Sequence, residues 1–193
     1  MDRGAAFRRA FHIASPVFLS YYILPDAITP TISKLSLAIL FIGTAGCIEI
    51  ARIALGIKLF GMRPYEGQRV SAYAQGLLGL TIGIFVVQDP RIVIPVFLGM
   101  AWIDPLAAYA RRRGWSLALS AAAYFFLFLA TETAMGQVPA WSARLVFAAL
   151  ATVSAVAVEG PRIPQIDDDL LMQLVPYAVL VVGFALVPIS GLF

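Results

Sequence analysis

The chain has 193 residues, of which 61% are hydrophobic and 13% are charged, and its net charge is +3. A mean hydropathy of +0.87, spread over repeated apolar stretches, indicates a polytopic membrane protein that forms one domain, residues 1–193, with little soluble mass. The basic residues are scattered over short loops without an aromatic stacking platform, which argues against nucleic acid as the partner. Anionic lipid headgroups or nucleotide phosphates are the expected partners. The single histidine and single cysteine exclude a zinc site of the usual His and Cys type.

Seven apolar segments approach the roughly 20 residues that a transmembrane helix needs. They are Phe11–Ile32, Leu35–Leu59, Ser71–Val87, Ile92–Tyr109, Trp115–Thr133, Ala143–Val158 and Leu170–Leu192. Pro25 and Asp26 interrupt the first segment, so a shorter helix followed by a re-entrant or interfacial piece is the alternative there, and six spans are the alternative to seven. The expected fold is an all-α bundle of about seven transmembrane helices.

The distribution of Lys and Arg over the loops predicts the orientation, because short cytoplasmic connections carry an excess of these residues. With the N-terminus in the cytoplasm, the inner loops hold ten of them and the outer loops three. The ten are Arg3, Arg8, Arg9, Lys58, Arg63, Arg69, Arg111, Arg112, Arg113 and Arg162, and the three are Lys34, Arg91 and Arg144. This predicts an N-in, C-out topology. It also places seven acidic residues at the cytoplasmic end: Glu49, Glu66, Asp104, Glu159, Asp167, Asp168 and Asp169.

Small residues recur at helical spacing in two places. Gly76, Gly79 and Gly83 form one stripe, and Ala121 to Ala123 form another small surface. Both are typical of close helix packing in membranes.

Glu49 and Arg52 lie three positions apart in the second segment, so they share one helix face. Ionisable groups at membrane depth are costly unless they are paired or hydrated. One interpretation is a self-neutralising pair. The other is a phosphate site, in which Arg52 holds the phosphate and Glu49 orients it or binds a metal. The spacing leaves both open.

The fourth segment carries Asp104 next to Pro105 and about two turns before Arg111, Arg112 and Arg113. A carboxylate at the end of a span, close to arginines, is suited to hold Mg²⁺ beside a polyphosphate. The structural alternative for the arginines is topological anchoring.

The most polar loop runs from Glu159 to Asp169 and ends in three adjacent carboxylates. Such residues repel one another unless a cation or a helix N-terminus receives them. Asp167 or Asp168 can cap the helix that begins near Leu170. Together with Asp104, the loop offers the hard oxygen ligands that Mg²⁺ prefers.

His12 follows Arg8 and Arg9 at spacings that place all three on one side of the first helix. The structural alternative is a histidine satisfied within the fold. Since the chain lacks a Walker A loop and contains only two lysines, Lys34 and Lys58, any phosphate site must use arginine.

In chain order, these segments resemble the polyprenol kinase family, which includes dolichol kinase, phytol kinase and the CTP-dependent diacylglycerol kinases. Arg8-Arg9-Ala10-Phe11-His12 is similar to the family's basic pair and histidine, and Glu49 with Arg52 to its Glu-x-x-Arg pair. Asp104 to Gly114 is similar to a Gly-Asp-x-x-Ala segment that leads into a basic turn, and Glu159 with Asp167-Asp168-Asp169-Leu170 to a Glu followed by Asp-Asp-Asn-Leu. Ile103 and Asp169 stand where the family has glycine and asparagine, and the family's Gly-Lys-Ser and Gly-Thr elements are missing after Gly114.

The resemblance implies transfer of the terminal phosphate of CTP, with Mg²⁺, to the hydroxyl of a membrane isoprenoid alcohol or diacylglycerol on the cytoplasmic side. The expected metal ligands are Asp104, Glu159, Asp167 and Asp168, and the expected catalytic residues are Asp104, Asp167 and Asp168, one of the last two as a base. Nucleotide contacts are expected from Arg8, Arg9, His12, Glu49, Arg52 and Arg111. Two alternatives are a cytidylyltransferase that makes a CDP-activated lipid and a small transporter whose path is lined by Glu49, Arg52 and Asp104.

Overall fold

The computed structural model describes residues 3–63, 66–67, 69–136, 138, 140–159, 163 and 165–186. The regular secondary structure of these residues is helical, as expected from the sequence. The helices are α1 (Arg3–Ala14), α2 (Lys34–Ala54), α3 (Ala72–Ile82), α4 (Pro90–Arg112), α5 (Leu117–Met135), α6 (Trp141–Glu159) and α7 (Asp168–Leu186). A 3₁₀-helix, Ser15–Tyr22, continues α1, and a π-helical turn, Gly83–Val87, continues α3.

Within this described part, five helices are long and apolar enough to cross a membrane, namely α2, α4, α5, α6 and α7. The helix α3 and its π-helical turn form a shorter apolar element. The expected first span, Phe11–Ile32, is wrong as a single helix. Its residues 11–14 belong to α1, 15–22 form the 3₁₀-helix and 23–32 lie outside the helices. The α-helix stops before Pro16, which has no N–H to continue the α-helical ladder.

Polar caps fix where the helices begin. Ser33 Oγ accepts a hydrogen bond from the Ser36 N–H, and Ser36 Oγ accepts one from the Ser33 N–H, so these two donors at the start of α2 are satisfied. At the start of α3, Ser71 accepts from the Ala74 N–H, and at the start of α4, Asp89 accepts from the Arg91 N–H. Two predicted features, Arg162 and the continuation of the last span to Leu192, lie outside the described residues.

The helix α4 lies at the centre of the bundle and packs against α1, the 3₁₀-helix, α5 and α7. Its Val93, Val96 and Met100 are buried together with Tyr124 and Phe128 of α5. The predicted glycine stripe of α3 is confirmed as a packing surface against α7. A Cβ atom on Gly79 would lie 2.6 Å from Gln173, and one on Gly83 would lie 2.8 Å from the Tyr177 hydroxyl.

The helix α2 stands apart from this bundle. It packs on α3, but nearly all of its surface is exposed, including large apolar side chains such as Ile39 and Leu40. The candidate functional site borders the gap between α2, α3, α1 and the 3₁₀-helix.

Candidate metal and lipid site

Three side chains from different helices meet where the end of α1 and the start of α7 lie beside the second half of α4. His12, Asp104 and Asp169 each offer one ligand atom, and these atoms all lie within 4.8 Å of one another. His12 Nδ1 lies 3.7 Å from Asp169 Oδ2. The structure therefore brings together His12 and Asp104, which are almost a hundred residues apart in sequence, and adds Asp169 to them.

The orientation of the His12 ring is set by the backbone of α4. His12 Nε2 lies 3.0 Å from the carbonyl oxygen of Met100. Because a carbonyl oxygen only accepts hydrogen bonds, Nε2 carries a hydrogen and donates it. In the neutral ring, Nδ1 then presents a lone pair toward the Asp169 carboxylate. Two acceptors face each other across this gap, so a proton or a metal ion is needed to bridge them.

The acidic run before α7 is held in place by α3. The Asp167 N–H donates to Gln75 Oε1 at 2.6 Å, and Gln75 Nε2 donates to the Gln165 carbonyl at 3.1 Å. Asp167 Oδ1 accepts from the Asp169 N–H at 3.4 Å, which makes Asp167 the cap of α7. Gln75 is 3% exposed, so its amide acts as a buried clamp on the loop. No pattern in the sequence indicates this role.

The carboxylates at this end interact with one another electrostatically. Asp169 is repelled by Asp104, Asp167 and Asp168, and Asp168 is repelled by Asp104 and Asp167. Desolvated carboxylates this close together favour binding of a divalent cation. Oxygen ligands suit Mg²⁺, so the residues present fit this ion.

Two arginines partly balance these charges. Arg63 donates to Asp167 Oδ2 at 3.0 Å, and Arg111 donates to Glu159 Oε1. Arg111 is about half exposed, whereas Glu159 is 3% exposed. Arg111 also attracts Asp104 electrostatically, so Asp104, Glu159 and Arg111 lie in the same neighbourhood, as expected.

The Glu49 and Arg52 pair lies on α2 and is linked to the loop before α3. Arg52 donates two hydrogen bonds of 2.8 Å to Glu49, one of 3.1 Å to the Glu66 carbonyl and one of 2.5 Å to the Arg69 carbonyl. Glu49 also accepts from the Ser71 N–H at 2.6 Å. Arg52 is 2% exposed. Four of its five N–H groups are thus used internally, which favours the structural ion pair over a phosphate contact.

Arg8 and Arg9 lie on α1 ahead of His12, and both are half-buried. Arg8 Nη1 donates to the Gly61 carbonyl at 3.3 Å. This contact ties α1 to the loop that follows α2.

Glu66 is a buried acid that the sequence did not single out as a site residue. It is 1% exposed, and among the described residues neither of its carboxylate oxygens has a hydrogen-bond partner. Its nearest cation is Arg63, whose Nε lies 3.8 Å from Oε1. Burial raises the pKa of the Glu66 carboxyl above its usual value.

A large cavity opens beside the His12 cluster. Its volume is about 720 Å³, and it lies between α2, α3, α1 and the 3₁₀-helix. Most of its lining is apolar, and its polar lining includes His12, Glu49, Ser71 and Asp169. A mostly apolar cavity with a few polar groups has the composition that is typical of small-molecule sites.

Comparison with protein-family models, with curated proteins and with solved structures finds no match to this chain.

Proposed function

We propose that the chain is a CTP-dependent lipid kinase of the membrane, with seven spans, a cytoplasmic N-terminus and an active site at the cytoplasmic end. Its acceptor is the hydroxyl of a membrane isoprenoid alcohol or diacylglycerol. The observation that carries this proposal is the position of the His12, Asp104 and Asp169 cluster at the polar end of a 720 Å³ apolar cavity. An ion site alone does not need such a cavity, and a lipid pocket alone does not need clustered carboxylates.

Asp104, Asp168 and Asp169 hold Mg²⁺ in this proposal. When bound there, the ion would supply positive charge to neutralise the phosphates of the nucleotide. Arg111, half exposed beside Glu159, is placed to contact the same phosphates. Asp167 is already engaged by Arg63 and by the backbone of α7, so we assign it to positioning the loop.

His12 accepts the proton of the alcohol. Its Nε2 donates to the Met100 carbonyl, which leaves the Nδ1 lone pair to receive a proton on the side where the cavity begins. The alcohol oxygen forms a bond to the terminal phosphorus, the bond from that phosphorus to the bridging oxygen of CTP breaks, and CDP leaves. Positioning and charge neutralisation supply most of the rate enhancement of such transfers.

The test is incubation of the purified protein with Mg²⁺ and CTP labelled in either the γ or the α phosphate, with a panel of lipid alcohols and lipid phosphates. The proposal requires the γ label, and not the α label, in an organic-soluble product of the alcohols. Transfer of the α label to a lipid phosphate would instead show a cytidylyltransferase. Absence of both labels from the lipid fraction would overturn the enzymatic assignment.

A further inference from the structure

A second apolar cavity continues the first along the membrane-spanning direction of α2. Its volume is about 150 Å³. The two cavities have six lining residues in common: Phe18, Phe41, Ile42, Leu77, Leu80 and Thr81. They are therefore successive parts of one groove.

The order of the lining residues gives the direction of this groove. On α2, the first cavity extends from Ile50 to Phe41 and the second from Ile42 to Lys34. With a rise of 1.5 Å per residue, Glu49 to Phe41 spans about 12 Å and Glu49 to Lys34 about 22 Å. One leaflet of a bilayer has about 15 Å of hydrocarbon. The first cavity is thus shorter than a leaflet, and the complete groove is longer.

Two phenylalanine rings stand where the cavities join. Phe18 of the 3₁₀-helix and Phe41 of α2 face each other across the groove, with ring centroids 5.0 Å apart. At the far end, Lys34 Nζ pairs with Asp26 at 2.9 Å and lies 5.2 Å from the centroid of the Tyr21 ring. A hydrocarbon chain whose polar end lies at His12 therefore reaches the aromatic pair first and the pair of Lys34 and Asp26 second.

We propose that the groove holds a single hydrocarbon chain of the acceptor lipid and that the Phe18 and Phe41 pair sets the length of chain that is accepted. This inference rests on the proposed function, since the acceptor is the alcohol that His12 deprotonates. The lining supports one amphipathic chain, because polar side chains border the groove near His12 and at Lys34, while the wall between them is mostly apolar. A chain of about 12 Å ends at the aromatic pair, and a longer one must displace the rings.

The groove wall offers a matched pair of variants. Gly46 lines the first cavity, and a Cβ atom there would have no atom of the described residues within 4 Å. Gly43, on the same helix, also has open space around its Cβ position, but it is not part of either lining. Gly46→Leu fills the groove without a clash against the protein, whereas Gly43→Leu makes the same change on the same helix outside it.

The experiment uses single-chain alcohols of increasing length, each with a photoactivatable group at the end of the chain. Crosslinking to the full-length protein measures binding without any phosphate transfer, and γ-label incorporation measures turnover. The variants are Phe41→Ala, Gly46→Leu and Gly43→Leu. We expect Gly46→Leu to lower crosslinking at least tenfold and Gly43→Leu to leave it within twofold. We expect Phe41→Ala to move the preferred chain length upward.

The two proposals fail in different ways in this experiment. If crosslinking depends on chain length and is abolished by Gly46→Leu, but no label is transferred from CTP, the groove proposal is supported and the kinase proposal is contradicted. If label is transferred with the same dependence on chain length in wild type, Phe41→Ala and Gly46→Leu, the kinase proposal is supported and the groove proposal is contradicted. Equal loss of crosslinking in Gly43→Leu and Gly46→Leu would also overturn it, because the effect would then belong to the helix and not to the cavity.

Discussion

His12 Nδ1 and Asp169 Oδ2 face each other at 3.7 Å, with the Met100 carbonyl fixing the opposite side of the imidazole ring. This relationship gives His12 a defined acceptor atom. If His12 takes the proton of the alcohol, His12→Gln keeps a polar side chain but removes the base. We expect kcat to fall by about 10²–10⁴-fold, with a much smaller change in KM for CTP. Steady-state kinetics of the folded variant measure both. A change confined to KM would contradict the assignment of His12 as the base.

Asp169→Asn separates stability from metal binding. Asp169 is repelled by three other carboxylates, so removal of its charge is expected to stabilise the protein in the absence of Mg²⁺ by about 1 kcal/mol, or ~2–4 °C in apparent Tm. The same change removes a ligand, so the stabilisation that Mg²⁺ gives the wild type should disappear. Thermal unfolding in detergent with and without Mg²⁺ measures both effects.

Asp26→Asn is the control for this experiment. The Asp26 side chain is 94% exposed and pairs with Lys34, away from the cluster. We expect it to retain the full Mg²⁺-dependent shift. A Mg²⁺ shift that persists in Asp169→Asn would show that the ion binds elsewhere.

Arg52 and Glu49 are expected to act as one structural unit. Either Arg52→Met or Glu49→Gln leaves a desolvated partner unpaired, which costs about 3–5 kcal/mol when such a pair is buried. The double variant should lose much less than the sum of the two single changes. A double-mutant cycle on apparent stability measures this coupling. Additive losses, together with a raised KM for CTP in Arg52→Met, would instead favour the phosphate contact.

Arg111 and Arg112 are neighbouring exposed arginines at the end of α4. Only for Arg111 does the described structure show an ion pair, with Glu159. Loss of a hydrogen bond between charged groups costs about 1.5–3 kcal/mol, so we expect Arg111→Gln to weaken the use of CTP by roughly 10–150-fold in kcat/KM. We expect Arg112→Gln to remain near wild type. Equal effects of the two variants would point to general surface charge.

Glu66 makes stability depend on pH. When an acid has a higher pKa in the folded chain than in the unfolded chain, its ionisation destabilises the folded protein. This loss of stability grows as pH rises from the lower pKa to the higher one. For Glu66 this range begins near its ordinary value of 4.5. Glu66→Gln does not titrate, so its apparent Tm relative to wild type should increase as pH rises above 4.5 and level off at higher pH. A constant difference from pH 4 to pH 8 would show that Glu66 does not titrate in this way.

Much of the helical architecture could be predicted, because a long apolar segment in a membrane has few alternatives to an α-helix for satisfying its backbone hydrogen bonds. The helix boundaries within the first apolar segment could not be predicted from the sequence, since the effect of Pro16 depends on where α1 stops. Its break matters for the site, because the 3₁₀-helix is the element that carries Phe18 to the groove.

The site can be predicted only as far as residue type and spacing allow. Asp104 is identified by its position inside an apolar segment, and His12 by its spacing from Arg8 and Arg9. Asp169 was named with the acidic run but was not chosen as a ligand, since adjacent carboxylates look equivalent until the first turn of α7 aims one of them at His12. The saturation of Arg52 by two backbone carbonyls, and the gap beside α2, arise from tertiary packing that no local pattern encodes.

The most direct test of the central claim is transfer of the γ phosphate of CTP to a membrane alcohol by wild type, Asp169→Asn and Arg112→Gln, each folded and at saturating Mg²⁺. We expect labelled lipid from wild type and Arg112→Gln, and a loss of at least ~10³-fold in Asp169→Asn. Equal transfer by all three proteins would contradict the role of the His12, Asp104 and Asp169 cluster, and no transfer by the wild type would contradict the kinase itself.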